Sequence, residues 1–403
     1  MAILIIVYKS MRFHVVSTLV SAVAIALAGG LLMSVWTVQE EANRVFTGVT
    51  GGFDAVLGAR SSKLQLVLNS IFHLEDSPGN ISAADVDVIR HNPNVEIGLP
   101  IAVGDNYKGY RLVGTLFDEL LRVEYTPGHH YEVEPPGRPL IDGQYEAVAG
   151  SFAARELGLK IGDKFHPFHG LTYDETKQHA ETYVITGILA PTGTPSDRVI
   201  WIPLSGVQKM SGHDPRVATD ASAVLVKLKA SNPMSGFQLD LLYNRRGNKL
   251  TFAWPIGAIL AKLFDKIAWF DRILTFVSYL VVVVATASIL ASIYNSMNER
   301  RREIAILRAL GAGRTTVFGA IVVESAAIGA VGMVIGFVIY AAIVVVASHI
   351  IRAQTGVVID PAKFHPVMIV APAGIVALAA LVGIFPAVKA YRTDVASGLT
   401  PLS

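Results

Sequence analysis

Four long runs without a charged residue constrain this chain more than any other feature of its sequence. They cover residues 13–39, 273–298, 325–351 and 364–388, and hold 27, 26, 27 and 25 residues without Lys, Arg, Asp or Glu. Each run exceeds the roughly 20 residues that cross about 30 Å of hydrocarbon at about 1.5 Å per residue. The mean hydropathy of +0.47 agrees with this. The sequence therefore predicts a membrane protein with four transmembrane α-helices.

The first run has an alternative interpretation as a secretory signal peptide. Its apolar stretch is longer than the roughly 7–15 residues usual in such peptides, and no convincing small-residue cleavage site precedes the polar sequence VQEEANR. We therefore expect it to be retained as a membrane helix.

The distribution of Lys and Arg predicts the orientation. Basic residues precede the first run, crowd the segment between the second and third, and follow the fourth: Lys9, Arg12, Arg300, Arg301, Arg302, Arg308, Arg314, Lys389 and Arg392. The loop between the third and fourth runs carries just Arg352 and Lys363. Because cytoplasmic loops are enriched in Lys and Arg, we expect both termini and the Arg-rich segment in the cytoplasm.

The segment between the first two runs then lies outside the cytoplasm. It predicts a large mixed α/β domain, with strands at Ala223–Leu228 and Tyr183–Leu189, a short glycine-ended helix near residues 153–163, and turns at SPGN, PPGRP, PTGTP and SNP. The helical sequence pattern continues beyond the end of the first run and begins before the start of the second, which favours stalk helices that carry the domain. The alternative is separate interfacial helices, with Trp254 and Trp269 in an aromatic belt.

The predicted fold class is a membrane protein with four transmembrane α-helices and a large extracytoplasmic mixed α/β domain inserted between helices 1 and 2. The predicted boundaries are a cytoplasmic N-terminal segment 1–12, TM1 13–39, the α/β domain with its stalk helices 40–270, TM2 271–297, a cytoplasmic coupling helix 298–314, TM3 315–351, an outer loop 352–363, TM4 364–388 and a cytoplasmic tail 389–403.

Composition and missing motifs exclude several classes of function. The net charge of +2 gives no sign of a nucleic-acid partner, and the absence of cysteine excludes disulfides and thiolate metal sites. No G-x-x-x-x-G-K-[ST] phosphate-binding loop occurs, so this chain is not an ATPase of that type. Neither G-x-S-x-G nor H-E-x-x-H occurs, and we expect no catalytic site.

The segment NERRREIAILRALGAGR (298–314) predicts a short amphipathic helix at the cytoplasmic surface. One apolar stripe repeats at every third position: Ile304, Leu307 and Leu310. Gly311 and Gly313 can adopt the positive φ that ends a helix, and Thr315 or Thr316 can cap the next one. A positive-inside anchor accounts for the arginines alone, whereas a docking helix for a cytosolic partner also accounts for the glutamates and the stripe.

This segment, followed by Glu324 early in the third run, resembles the C-terminal permease segment of FtsX-like, MacB-type ABC transporters. Three further stretches resemble the same family: Tyr145–Phe165, Thr186–Leu204 and the tail Pro386–Leu402. The tail departs from the family pattern, because Val395 rather than proline follows Asp394. Glu324 is expected to face an arginine or the docking surface rather than to form an ion site.

The resemblance implies a non-catalytic permease of the bacterial inner membrane that forms a homodimer, passes the membrane several times and docks on a separate cytosolic ATPase, which binds the ATP. No cofactor is implied in this chain. The coupling role is carried over to Glu299, Arg300, Arg301, Arg302, Glu303, Arg308, Gly311 and Ala312. The family also implies mechanotransmission, in which ATP-driven movement passes to the extracytoplasmic domain.

Histidines are concentrated in one stretch of that domain. Five of them form a candidate zinc site together with nearby acidic residues: His129, His130, His166, His169 and His179. A solvated loop in which the histidines never converge is the alternative.

The expected function is a permease subunit that couples ATP hydrolysis by its partner to movements of the extracytoplasmic domain. Its substrate would be a lipoprotein, a hydrophobic small molecule or a metal-linked ligand of the envelope, and a periplasmic protein is a candidate partner. Two alternatives stay open: a non-transporting signalling complex that activates an envelope enzyme, and a membrane-anchored metal-sensing domain without an ATPase.

Overall fold

The computed structural model describes residues 2–212, 219–299, 308, 311–358, 360 and 363–392. The chain divides into two units. Met1–Glu41, Ile267–His349 and Asp360–Ser403 form the first, which we call the membrane unit; Ala42–Lys266 and Ile350–Ile359 form the second, which we call the α/β domain.

The helices in chain order are α1 (Ala2–Phe13), α2 (Val15–Gly48), α3 (Lys63–Ser70), α4 (Ala83–Arg90), α5 (Phe117–Leu120), α6 (Ser151–Leu157), α7 (Leu204–Gln208), α8 (Ser235–Asp240), α9 (Ile256–Glu299), α10 (Arg314–Thr355) and α11 (Val367–Arg392). The strands are β1 (Ala55–Ala59), β2 (Val95–Tyr107), β3 (Tyr110–Thr115), β4 (Glu124–Thr126), β5 (His129–His130), β6 (Glu146–Ala149), β7 (Lys164–Phe165), β8 (Phe168–His169), β9 (Tyr183–Ile188), β10 (Ile200–Pro203), β11 (Ala223–Leu228) and β12 (Leu250–Ala253).

Four helical segments are long and apolar enough to cross a membrane: Val15–Gly48, Ala268–Ala291, Arg314–Thr355 and Val367–Lys389. The mixed α/β domain lies between the first and the second, and the predicted fold class is confirmed. Helix α2 continues past residue 39 to Gly48, and α9 already begins at Ile256, so both helices are longer than the predicted spans. The domain boundaries inferred from the sequence stay predictions.

Small residues bring α2 and α10 together within the membrane unit. A Cβ atom added at Gly332 of α10 would lie 2.7 Å from Ile25 Cβ and 2.9 Å from Ala22 O, and one added at Gly336 would lie 3.2 Å from Ala26 O. Gly332 and Gly336 are spaced four apart, as in the G-x-x-x-G pattern that lets two membrane helices approach closely.

Glycine residues also allow a close contact between α10 and α11. A Cβ atom at Gly329 would lie 2.9 Å from Ala379 Cβ, and Gly383 of α11 lies against Ser325, which is fully buried. Because α10 packs on both α2 and α11, it holds a central position in this unit.

Buried acidic residues in the membrane unit are paired. Glu41 near the end of α2 is fully buried, and its Oε1 lies 3.1 Å from Lys363 Nζ and 3.3 Å from His365 Nε2. Glu324 of α10 accepts a hydrogen bond from the Ser10 hydroxyl of α1. Pairing of this kind offsets the high cost of placing a carboxylate away from water.

A ten-stranded mixed sheet forms the centre of the α/β domain. Its order is β12-β1-β11-β2-β3-β10-β6-β9-β7, with β8 paired to β2 beside this path. The β3–β10 and β6–β9 pairs are parallel and the others antiparallel. The predicted strand at Ala223–Leu228 is β11, and the one at Tyr183–Leu189 is β9, which ends at Ile188. The glycine-ended helix is α6, which ends at Leu157 before Gly158 with φ +67°.

One hydrophobic cluster of the α/β domain takes buried residues from the sheet and from the ends of three long helices. Leu99 and Trp201 contribute from β2 and β10. Val45 of α2, Leu260 of α9 and Val357, which follows α10, belong to the same cluster. The helix ends are therefore part of the domain core.

A turn stabilised by Asp197 connects β9 and β10. The buried Asp197 carboxylate accepts hydrogen bonds from Thr192 N at 3.0 Å, from the Thr192 hydroxyl at 2.8 Å and from Gly193 N at 2.9 Å. Gly150 lies directly against this turn, since a Cβ atom there would stand 2.4 Å from Asp197 O. The PTGTPSD segment is thus a closely packed structural turn.

Candidate functional site

The structure describes part of the predicted coupling segment. Helix α9 ends at Glu299, and Arg308 has helical backbone. Gly311 adopts φ +99°, and its N–H donates to Arg308 O at 3.1 Å, so the predicted helix stop lies at this glycine. The predicted coupling residues Arg300, Arg301, Arg302 and Glu303 lie outside the described residues.

The start of α10 differs from the prediction. Gly313 O accepts hydrogen bonds from Thr316 N at 3.0 Å and Val317 N at 3.3 Å, so Gly313 occupies the position before the first helical residue. Thr315 and Thr316 lie inside the helix and do not cap it. Glycine is tolerated at that position, although a side-chain oxygen would satisfy one more N–H.

The five candidate histidines do not form one site. His129 and His130 are exposed on β5, which pairs with β4 in a separate two-stranded sheet. The ring of His166 contacts backbone, with Nδ1 3.0 Å from Glu181 O. His169 and His179 come together, with a ring-centroid distance of 5.5 Å.

Asp105 completes a cluster with these two histidines. Its Oδ1 lies 3.0 Å from His179 Nε2 and 3.4 Å from His169 Nδ1. Within the described part of the chain, this is the one group of three His, Asp or Glu side chains whose ligand atoms all lie within 4.8 Å of one another. Asp105 is fully buried and His179 nearly so, whereas 53% of the His169 side chain is exposed. We call Asp105, His169 and His179 the Asp–His–His cluster.

Strand pairing places Asp105 and His169 opposite each other. Asp105 of β2 pairs with His169 of the short strand β8. The register of β2 against β3 shifts between Val103 and Asp105, which marks a bulge at Gly104. A bulge turns the following side chain relative to a regular strand. The buried Asp105 carboxylate therefore lies at the edge where β8 joins the sheet.

Asn106 holds the loop that carries His169. Its side-chain amide donates to Gly170 O at 2.8 Å and to Thr172 O at 3.3 Å, and its Oδ1 accepts from Gly109 N at 3.0 Å. Asn106 is fully buried. The loop geometry is thus built into the fold next to Asp105.

His179 is oriented by backbone groups. Its Nδ1–H donates to Ser211 O at 2.7 Å, and its own N–H donates to Pro167 O at 2.8 Å. Because a carbonyl oxygen accepts, the proton of the neutral ring lies on Nδ1. The lone pair on Nε2 then faces Asp105.

A cleft of about 350 Å³ opens beside the cluster. His169 lines it together with the polar residues Asn80, Gln208, Asp220 and Ser222. A group in this cleft has access to the exposed side of His169.

Reasoning from the sequence found two members of the cluster and missed the third. His169 and His179 were predicted because they belong to a histidine-rich stretch. Asp105 lies 74 residues before His179, directly after the apolar run LPIAVG of β2. A lone carboxylate in the otherwise apolar run LPIAVGD was the available signal, because buried strands seldom carry an unpaired charge.

Comparisons with known proteins found a matching family model and a number of similar solved structures. Residues 275–395, which include α10 and α11, match the family model of the FtsX-like permease C-terminal domain. No curated protein sequence matches the chain. One similar solved structure is the extracellular domain of the noncanonic ABC-type transporter YknZ from Gram-positive bacteria, at 15% identity and a TM-score of 0.31 over 49% of this chain and 99% of that one. Another is the periplasmic region of MacB from Actinobacillus actinomycetemcomitans, at 11% identity and a TM-score of 0.34 over 54% of this chain and 94% of that one.

The class of protein follows from these findings. The chain is a multi-pass membrane protein with an α/β domain inserted after its first membrane helix, and its C-terminal part matches the FtsX-like permease domain. The predicted resemblance to FtsX-like permeases is confirmed over residues 275–395.

Proposed function

We propose that this chain is the permease subunit of an ABC transporter and couples ATP hydrolysis by a separate cytosolic ATPase to movement of its extracytoplasmic domain. The match of residues 275–395 to the FtsX-like permease domain carries this proposal. The matched range includes the charged segment 298–314 between two candidate membrane helices. The substrate is an envelope component handled by the α/β domain.

The sequence supports a separate ATPase. The chain contains no glycine-rich phosphate-binding loop, and GAGRTT (311–316) lacks both its lysine and its spacing. This absence supports a partner protein as the proposed source of energy. Gly311 fixes the end of the proposed docking helix, because its φ of +99° is readily adopted by glycine.

The core of the α/β domain supports transmission through helices. Val45, Leu260 and Val357 come from the ends of three long helices, and they share one buried cluster with Leu99 and Trp201 of the sheet. Packed interiors deform little, so a displacement of these helix ends has to be taken up by rearrangement of the domain. Movement of the helices is therefore the proposed route by which the ATPase acts on the domain.

The proposed orientation places both termini and segment 298–314 in the cytoplasm of a bacterial cell, with the permease as a homodimer in the inner membrane. It rests on the excess of Lys and Arg in these segments. The chain has no cysteine, so single introduced cysteines can be labelled without background.

Charge reversal in the proposed docking helix tests the function. The double variant Arg300→Glu and Arg301→Glu is compared with Arg245→Glu and Arg246→Glu, a matched pair of adjacent arginines in the α/β domain. The full chain is purified from its native membranes, and co-purifying ABC ATPase is identified by its phosphate-binding loop and measured by ATP hydrolysis. We expect the first variant to lose the ATPase and the control to retain it. Equal recovery with both variants contradicts the docking assignment.

Membrane insertion needs its own control, because arginines also set topology. Ser231 in the α/β domain and Thr315 at the start of α10 are exposed and are changed singly to cysteine in each background. A membrane-impermeant maleimide should label Ser231→Cys in spheroplasts and label Thr315→Cys after permeabilisation. A variant that keeps this pattern and loses the ATPase has lost docking and has kept its insertion.

A further inference from the structure

We propose that Asp105, His169 and His179 bind one divalent transition-metal ion of the zinc type in the α/β domain. This inference does not depend on the permease function. It follows from the positions of three ligand atoms, from the hydrogen bond that orients the His179 ring and from the support of the surrounding loop.

The spacing of the ligand atoms fits a tetrahedral metal. Zinc binds imidazole nitrogen and carboxylate oxygen at about 2.0–2.2 Å, so two ligand atoms at a tetrahedral angle lie roughly 3.3–3.5 Å apart. The distances from Asp105 Oδ1 are 3.0 Å to His179 Nε2 and 3.4 Å to His169 Nδ1. The remaining pair of atoms lies within 4.8 Å. Both distances to Asp105 Oδ1 lie within about 0.3 Å of the tetrahedral range, and movement of the half-exposed His169 side chain closes the third.

The contact between His179 and Asp105 requires a positive charge. The hydrogen bond from His179 Nδ1–H to Ser211 O leaves a lone pair on Nε2 of the neutral ring. An ionised carboxylate also presents lone pairs, and Oδ1 lies 3.0 Å away. Two acceptors at this distance repel unless a proton or a metal ion lies between them. A metal satisfies both of them and His169 at the same time.

The surroundings are those of a supported metal site. Metal-binding histidines usually donate their second ring N–H to a carbonyl or carboxylate, and His179 donates to Ser211 O. Asn106 fixes the loop of His169 through Gly170 O and Thr172 O. Two of the three ligands are therefore held before any metal arrives, which lowers the entropy cost of binding.

The ligand set selects the class of metal. Two imidazoles and one carboxylate suit zinc and its transition-metal neighbours, whereas calcium and magnesium prefer oxygen ligands. A tetrahedral ion takes a fourth ligand besides these three, and the cleft lined by His169 is a route by which one can reach the site. Sites with three protein ligands keep such a position for exchangeable ligands, whereas structural zinc sites have four.

Zinc binding by the full-length chain tests the site. The protein is purified in detergent with an affinity tag that contains no histidine, stripped with a chelator and titrated with Zn²⁺ against a chromophoric competitor. We expect one strong site per chain with a Kd below about 1 µM. X-ray absorption at the zinc edge should show imidazole scattering and a first shell near about 2.0 Å.

Ligand variants decide which residues bind. His169→Ala removes a half-exposed side chain and should leave the thermal unfolding temperature unchanged, while Asp105→Asn keeps the shape of the carboxylate. Each should weaken zinc binding at least about 100-fold, the upper end of the loss caused by a single supporting residue. His129→Ala with His130→Ala removes two exposed histidines outside the cluster and should leave the affinity unchanged.

Three results overturn the proposal. One is the absence of stoichiometric zinc at about 10 µM free metal, ten times the expected Kd, which leaves Asp105 and His179 as a proton-bridged ion pair. Another is undiminished affinity in folded His169→Ala and Asp105→Asn. The last is an equal loss in the His129 and His130 control, which indicates binding by scattered histidines.

Discussion

The contact between α2 and α10 should fail when one methyl group is added at Gly332. In Gly332→Ala the new Cβ would lie 2.7 Å from Ile25 Cβ and 2.9 Å from Ala22 O. Carbon atoms in contact normally lie about 3.5–4.0 Å apart, so the two Cβ atoms must separate by about 0.8 Å or more. Overpacking of this size costs about 1–3 kcal/mol. Part of the clash is with backbone, which has no other rotamer to adopt.

Helix propensity acts in the opposite direction and must be removed from the comparison. Alanine is favoured over glycine by about 0.8–1.0 kcal/mol within a helix. Gly374→Ala in α11 is the matched control, because a Cβ atom there has no atom within 4 Å. The higher helix propensity of alanine should stabilise both variants, and the steric clash should destabilise Gly332→Ala alone. The difference between the two free energies of unfolding is thus about 1–3 kcal/mol, roughly a 5- to 150-fold change in the unfolding equilibrium.

Equilibrium unfolding in mixed micelles of SDS and a mild detergent measures this difference. Tryptophan fluorescence of the full chain follows the transition, and the midpoint and slope give the free energy for each variant. Gly332→Ala should unfold at a lower SDS fraction than the parent chain, and Gly374→Ala at an equal or higher one. If the two variants are equally stable, close packing at Gly332 does not hold these helices together.

Two further predictions concern the α/β domain. Burial and two nearby arginines lower the pKa of His73 from 6.5 to about 3. Between these pH values the unfolded chain binds a proton at His73 and the folded chain does not, so the free energy of unfolding should fall by about 2 kcal/mol from pH 7 to pH 5. His73→Asn should remove this pH dependence when unfolding is followed by tryptophan fluorescence, including that of Trp201. An unchanged slope contradicts the assignment to His73. Gly150→Ala places a Cβ atom 2.4 Å from Asp197 O and should destabilise the domain by about 1–3 kcal/mol in thermal unfolding. Gly48→Ala is the control and should not destabilise it, because a Cβ atom there has no atom within 4 Å. Equal stability of both variants contradicts close packing of Gly150 against the Asp197 turn.

The membrane helices were predictable because hydrocarbon imposes a simple rule on sequence. A span needs a long run without charges, and four such runs were present. The face that each helix packs was not predictable, because every face of such a run is apolar. Gly332 and Gly336 are two of the three glycines in the run 325–351, and their role depends on Ala22, Ile25 and Ala26 of a helix about 300 residues earlier.

The candidate metal site was predictable to the extent that its residues are close in sequence. His169 and His179 stand ten positions apart in a histidine-rich stretch. His129 and His130 share that composition but belong to a separate two-stranded sheet. Asp105 reaches the histidines through the register of β2 with β8. A pairing between distant strands is set by the whole fold, and local composition carries no information about it.

Strand β2 relates the two proposals within the α/β domain. Its Leu99 lies in the cluster that contains the helix ends, and its Asp105 lies in the Asp–His–His cluster, six residues or roughly 20 Å further along the strand. If movement of the helix ends changes the geometry around Asp105, it changes metal affinity by some factor. Linkage then requires bound metal to shift the equilibrium between the two arrangements of the helix ends by the same factor. A metal that binds both arrangements equally shifts nothing, so unequal affinity is what would distinguish a regulatory or substrate site from a structural one.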